Sequence, residues 1–353
     1  MRPILLVAAG LLVTALVAAG VTLAVLQLQS RTNTQQVNLR SGVTISEDSA
    51  IVQAAARARP AVVSVVTQEQ PTLSRGSGYL VTTDGYIVTN IDVIGGAGAM
   101  IVLVPGDPAA HDARLVDYDC QTGVAVIKID KVSGLPTLAF ADPTALVQGQ
   151  LIVAVGGPFE GGAVTPGYVS AMHRVVSIAN PSAAQQSLQL SDTILTSSVI
   201  SAGTAGGPML NVGGQVIAIA MQSQPSTQTN GFGLNVADVQ DDVQQILQTG
   251  QVVVSSLGLT STDISPELAS LSGLPAGSQL LSVDKGGPAA SAGLQLGDII
   301  TQLDDVKLDA AHPLRLLLRS RFHPNQKVTV TYSRGGASSQ AQLTLIAQHP
   351  TCS

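Results

Sequence analysis

The spacing of apolar residues changes character three times along the chain. From Pro3 to Gln27 no residue is charged, and the run from Ile4 to Leu26 is almost wholly apolar. As a helix, a run of that length reaches across about 30 Å of hydrocarbon, so residues 1–28 are expected to form an uncleaved transmembrane anchor. The alternative is a secretory signal peptide, with Ala18, Ala19 and Gly20 as small residues for cleavage, but cleavable apolar cores run only about 7 to 15 residues. Arg2 on one side and Arg31 and Arg40 on the other leave the orientation open. Residues 29–50, rich in Gln, Thr, Asn and Ser, predict a solvated linker.

Beyond a short helix predicted over Ile51 to Arg59, the pattern becomes one of brief β-branched runs cut by Gly, Pro and Asp-Gly pairs. Runs at Ala61 to Val66, Tyr79 to Thr82, Tyr86 to Thr89, Met100 to Val104, Ala113 to Val116, Val124 to Ile129 and Leu151 to Val155 are followed by Gly167 to Met172, Thr193 to Thr196 and Gln215 to Met221. Short strands at this frequency, turned by Asp84-Gly85 and Gly213-Gly214, predict a mainly β, antiparallel sandwich or barrel pair. A parallel sheet would need amphipathic helices between the strands, and the pattern holds none. A long helix is predicted only at Ala237 to Gln248, where Val239, Val243, Ile246 and Leu247 share a face and Gly250 supplies the stop.

Composition narrows the classes. The chain has 353 residues, 45% hydrophobic and 11% charged, with a net charge of −6 and no basic block. That apolar content excludes disorder as the main state, and the acidic balance argues against nucleic acid as a partner. The 2 cysteines, Cys120 and Cys352, make neither a disulfide framework nor a Cys-rich metal site. No histidine pair has metal-ligand spacing, and no cofactor or metal is expected.

Three segments resemble a known family. Gly76-Ser77-Gly78-Tyr79-Leu80 with Asp84-Gly85-Tyr86-Ile87-Val88-Thr89-Asn90, then Val153-Ala154-Val155-Gly156-Gly157-Pro158-Phe159 with Gly167-Tyr168-Val169-Ser170-Ala171, and finally Gly203-Thr204-Ala205-Gly206-Gly207-Pro208-Met209-Leu210-Asn211 look like the signature blocks of the HtrA proteases, trypsin-like serine proteases. The resemblance implies two perpendicular six-stranded Greek-key barrels over residues 51–250 with a cleft between them. It also implies oligomers, commonly trimers formed through the N-terminal segment of the barrel, although residues 29–78 hold no aromatic residue to anchor such a contact.

Acyl transfer in such a cleft needs a hydroxyl nucleophile, an imidazole base and a carboxylate to orient it. The matching positions hold Ala205, Asp92 and Gly123. A methyl group has no lone pair, a carboxylate with a pKa near ~3.9 is a poor base for a hydroxyl, and glycine orients nothing. The oxyanion loop remains in Gly203, Thr204, Gly206 and Gly207, which turn backbone N–H groups inward or simply let the turn form. His111 and His173, the two histidines of the barrel region, are expected to be solvated, the first in a loop beside Asp112 and the second at a strand end.

Residues 251–349 resemble the PDZ domain that follows the protease in HtrA proteins. Ser256-Leu257-Gly258-Leu259 stands where the family has its carboxylate-binding loop, and Gly287-Pro288-Ala289-Ala290-Ser291-Ala292-Gly293-Leu294 with Leu296-Gly297-Asp298-Ile299-Ile300 matches the domain's signature. An extended C-terminal peptide would add to the strand after Gly258. A helix is predicted over Pro313 to Ser320, its leucines serving the core, with Asp263 and Arg315 as solvated charges. The combined expectation is a membrane-tethered, extracytoplasmic, HtrA-like protein that binds C-terminal or unfolded peptides without cleaving them, as a homo- or hetero-oligomer. The alternative is an HtrA-type serine endopeptidase using displaced residues or a mixed oligomer.

Overall fold

The computed structural model describes residues 20–21, 46–69, 72–96, 98–159, 162–180, 183–222, 231–309 and 312–350. The expected anchor and linker fall almost entirely outside these. Among the described residues no helix is long and apolar enough to cross a membrane.

The first helix, α1 (Ser46–Ala58), begins five residues before the predicted start, inside the stretch expected to be linker. It leads into a closed barrel of β1 (Val62–Glu69), β2 (Thr72–Leu80), β3 (Tyr86–Asn90), β4 (Ala99–Leu103), β5 (Ala110–Tyr118) and β6 (Val124–Ile129), in spatial order β1-β2-β3-β6-β5-β4. A one-turn helix, α2 (Ile91–Ile94), follows β3. Every residue of β6 is buried, because one face fills the barrel and α2 packs against the strand as well; its continuous apolar run reflects burial on both faces.

The second closed barrel contains β7 (Leu151–Val155), β8 (Val164–Asn180), β9 (Ala183–Thr196), β10 (Pro208–Leu210), β11 (Val216–Met221) and β12 (Gly231–Asn235), ordered β10-β11-β12-β9-β8-β7. Strands β8 and β9 form a hairpin far longer than the predicted runs. Helix α3 (Val236–Thr249) closes the barrels, capped by the Asn235 side chain and by Gly250 in the left-handed region. Its stop lies at the glycine named from the sequence, and it starts one residue before the predicted Ala237.

The remaining chain carries β13 (Val254–Ser256), β14 (Leu259–Ile264), α4 (Pro266–Ser272), β15 (Gly277–Val283), α5 (Pro288–Ser291), β16 (Ile299–Leu303), β17 (Val306–Lys307), α6 (Leu314–Ser320), β18 (Lys327–Arg334), β19 (Ala337–Thr344) and β20 (Ile346–Gln348). A sheet ordered β14-β15-β16-β18-β19 covers its own apolar core, with β14 at an edge, while β13 pairs with β20. Helix α5 starts at a proline and ends before Gly293 at φ +80°, as the signature predicts.

Candidate functional site

Asp92 and Ala205 line one cleft of 450 Å³, together with Gly203, Arg75 and Phe159. Asp92 is the second residue of α2. Asn90 caps that helix by accepting from Val93 N at 2.9 Å, and its Nδ2 donates to Ala220 O at 2.9 Å, which ties α2 to the second barrel. Burial pushes the pKa of the Asp92 carboxyl up to about 6.

Ala205 is 4% exposed. Its carbonyl accepts from Ser77 N at 2.7 Å, and its N–H donates to Ser201 O at 3.0 Å, as does the N–H of Thr204. The turn 201–205 is therefore closed on itself, so an oxyanion would have to displace Ser201 O to reach the Ala205 N–H. Ser77 clamps the loop from the first barrel: its hydroxyl donates to Gly203 O at 2.6 Å and accepts from Gly157 N at 2.7 Å. Gly206 has φ +80°, and a Cβ there would stand 2.3 Å from both Ser77 O and Thr89 Oγ1. That glycine is required by close approach and backbone conformation together.

Gly123 sits on the loop before β6. It has φ +81°, a conformation that L side chains rarely adopt, and a Cβ would press on Leu190 and Leu234 at 3.3 Å. Its carbonyl accepts from Ile91 N at 2.9 Å, so the loop contacts the residue beside Asp92. No histidine lines the cleft among the described residues. His111 lies within β5 rather than in a loop and pairs with Asp107 at 2.9 Å; His173 lies inside β8 rather than at its end and pairs with Asp192 at 2.5 Å. Each imidazole thus holds a local carboxylate away from the cleft.

Replacing Asp92 by asparagine is expected to stabilise the protein by roughly 1–2 kcal/mol above pH 6, from a raised pKa at about 1.4 kcal/mol per unit and partial exposure. The wild-type carboxyl takes a proton more readily folded than unfolded, so its penalty is full above about pH 6 and disappears as pH falls below about 4. Urea unfolding of both proteins at pH 4 and pH 7.5 checks this; an unchanged difference between the two pH values contradicts it.

In the second domain Ser256 Oγ accepts from Gly258 N at 3.0 Å, and Gly258 has φ +70°. Leu257, 1% exposed and part of the core, lines a cavity of 270 Å³ together with Leu259 and with Leu314 and Leu318 of α6. Edge strand β14 and α6 thus flank a groove with an apolar end beside the Ser256-Leu257-Gly258-Leu259 loop.

Arg315 and Asp263 are not simple solvated charges. Arg315 Nη1 donates to Gln121 O at 3.1 Å, and burial raises the Asp263 carboxyl. Four residues on, Arg319 is buried among three carboxylates: Asp119 at 2.7 Å, Asp238 at 3.8 Å and Asp242 in direct contact. Asp242 also accepts from Thr122 Oγ1 at 2.6 Å. Burial pushes Asp238 up to about 6 against the pull of Arg319 and Arg315. This cluster, absent from the sequence-based expectations, bolts α6 to α3 and to the loop carrying Gly123. Its members lie up to 200 positions apart, and no local pattern announces them.

The trypsin-like peptidase domain family matches residues 76–219, and the PDZ domain family matches residues 255–345. A probable periplasmic serine endoprotease, DegP-like, from Halomonas elongata is 35% identical over 282 residues, covering 77% of this chain and 56% of its own. The serine protease Do-like HtrA of Lactococcus lactis is 32% identical over 292 residues, covering 77% of this chain and 70% of its own. The chain therefore spans little more than half the length of the first of these. Among solved structures, the HtrA-type protease AlgW with a decapeptide aligns with TM-score 0.67 and 27% identity over 85% of this chain and 99% of that one. The serine endoprotease from Yersinia pestis aligns with TM-score 0.64 and 26% identity, over 84% and 98%.

These relatives correct one expectation. Proteins 32–37% identical to this chain are named serine endoproteases, which favours the endopeptidase reading over that of a protein without cleavage activity. With a Do-like HtrA protease matched over more than two thirds of its length, and the peptidase and PDZ domains present in order, the chain belongs to the HtrA family.

Proposed function

We propose that the chain is a peptide-capturing member of an HtrA-type serine endopeptidase, in which a second HtrA-type chain of a mixed oligomer supplies the serine and the imidazole. The observation that carries this reading is position 205, where a preserved glycine turn faces an open cleft with a methyl group in place of a hydroxyl. Its substrates are unfolded or C-terminal peptides, held by strand addition at β14 with the carboxylate at the Ser256-Leu257-Gly258-Leu259 loop. It acts outside the cytoplasm, in keeping with relatives named periplasmic, with residues 1–28 as its membrane anchor.

Co-expression of the full chain with a catalytically intact HtrA-type protease tests this. Native mass spectrometry should show mixed oligomers, and these should degrade unfolded casein faster than an equal amount of the intact protease alone. Strictly separate homo-oligomers would reject the proposal. Cleavage by this chain alone at the intact protease's rate would reject it too, in favour of displaced residues of its own.

A further inference from the structure

We propose that the cleft between the two barrels binds the basic side chain of a lysine in an extended peptide, with Asp92 as its counter-ion. The inference rests on the capture reading above and names the residue type that this chain would capture.

Among the described residues Asp92 has no hydrogen-bond or ion-pair partner. Asp119, Asp238 and Asp242, by contrast, share the guanidinium of Arg319. A carboxylate partly withdrawn from water and left without a partner is costly. That cost is the reason Asp92→Asn is expected to stabilise the protein, and a cation entering the cleft would remove it.

The space beside Asp92 fits such a ligand. The cavity holds 450 Å³, within the about 300–1,000 Å³ of ordinary small-ligand sites. Val66, Leu73, Val93 and Phe159 give it apolar walls, and Ala205 adds a methyl group where a hydroxyl would compete for the ammonium. An apolar lining with a single carboxylate suits a chain of methylenes that ends in a positive charge. The charges facing the cavity are few. Strand β1 contributes Ser64 and two valines, the 201–205 turn alanine and glycine, and Gln222 follows β11. Strand β2 contributes Arg75, the one other charged group among the described lining residues. Arg75 is exposed, its guanidinium 4.9 Å from the centre of the Phe159 ring, so water weakens its repulsion of a cation. Asp92 attracts the ammonium while ionised, above about pH 6; below that, a proton takes the place of the cation.

The test uses the full chain and its Asp92→Asn variant, which keeps the shape of the cavity and loses the charge. The probe is N-acetyl-Ala-Ala-Lys-Ala-Ala-amide, whose blocked ends offer the PDZ groove no carboxylate, against the same peptide with norleucine for lysine. By calorimetry at pH 7.5 the lysine peptide should bind at least tenfold tighter, the gain expected of a hydrogen bond to a charged group. The preference should fall by about one decade per pH unit below 6. It should be gone at pH 4.5 and in Asp92→Asn. Hydrogen exchange under the lysine peptide should slow at residues 73–76 and 201–205 and not at 257–264. Equal binding of the two peptides at pH 7.5, a lysine preference that survives in Asp92→Asn, or protection confined to 257–264 would each overturn the site. A norleucine peptide with a free N-terminus that matches the lysine peptide would overturn the assignment to a side chain and give the cleft to an amino terminus. If the lysine preference holds while no mixed oligomer forms, the cationic site stands and the partner-supplied catalysis proposed above falls.

Discussion

Replacing Arg319 by alanine should destabilise the protein by about 3–5 kcal/mol, the usual cost of stripping one partner from a buried ion cluster. Arg319 is 4% exposed and its partners Asp119 and Asp242 are fully buried, so water cannot replace the guanidinium. Three carboxylates would then face one another with only Arg315 nearby. The loss should shrink as pH falls through about 6, because Asp238 takes up its proton there and one negative charge leaves the cluster. Urea unfolding at pH 8 and pH 5 reads both effects. A cost below about 1 kcal/mol at pH 8 would show that the cluster is solvated after all. Arg319→Met, which fills the space without a charge, should be as damaging as alanine if charge is the cause.

A second large effect is expected from Ala205→Ser combined with Asp92→His. The serine oxygen would branch from a Cβ already held at the cleft by Ser77 and the glycine turn, and the imidazole would rise from α2 on the same cleft. The double variant alone should gain fluorophosphonate labelling at position 205 of at least 100-fold over background. Its turnover should nonetheless stay about 10⁴-fold below that of a complete triad, since no carboxylate orients the new imidazole. Adding Gly123→Asp is a poor remedy: φ is +81° there, and Leu190 and Leu234 close on the new side chain at 3.3 Å. A fully folded double variant with no gain in labelling would mean that the turn 201–205, bonded to Ser201 O, does not open.

What the sequence made legible follows from burial. Strands β6 and β7 were readable to the residue because packing inside the first and second barrels demands unbroken apolar runs. Hairpin β8–β9 was read short, since its outer part is rich in Gln, Ser, Asn and Arg, whose polarity mimics a loop. Strand β10 is only three residues long behind two glycines, too brief for any periodicity. Helix α5 and the start of β16 fall on the PDZ signature, whose proline and glycines have backbone reasons to be where they are. Arg319 was invisible, since an arginine one turn after Arg315 in a leucine-rich helix gives no sign of carboxylates brought to it by folding.

The central claim is that the acylated hydroxyl belongs to another chain. Intact mass analysis after fluorophosphonate treatment of the wild-type chain, alone and in a mixed oligomer with an intact HtrA-type protease, addresses it directly. The adduct is expected on the partner in the mixture and on nothing when this chain is alone. An adduct on this polypeptide would contradict the account.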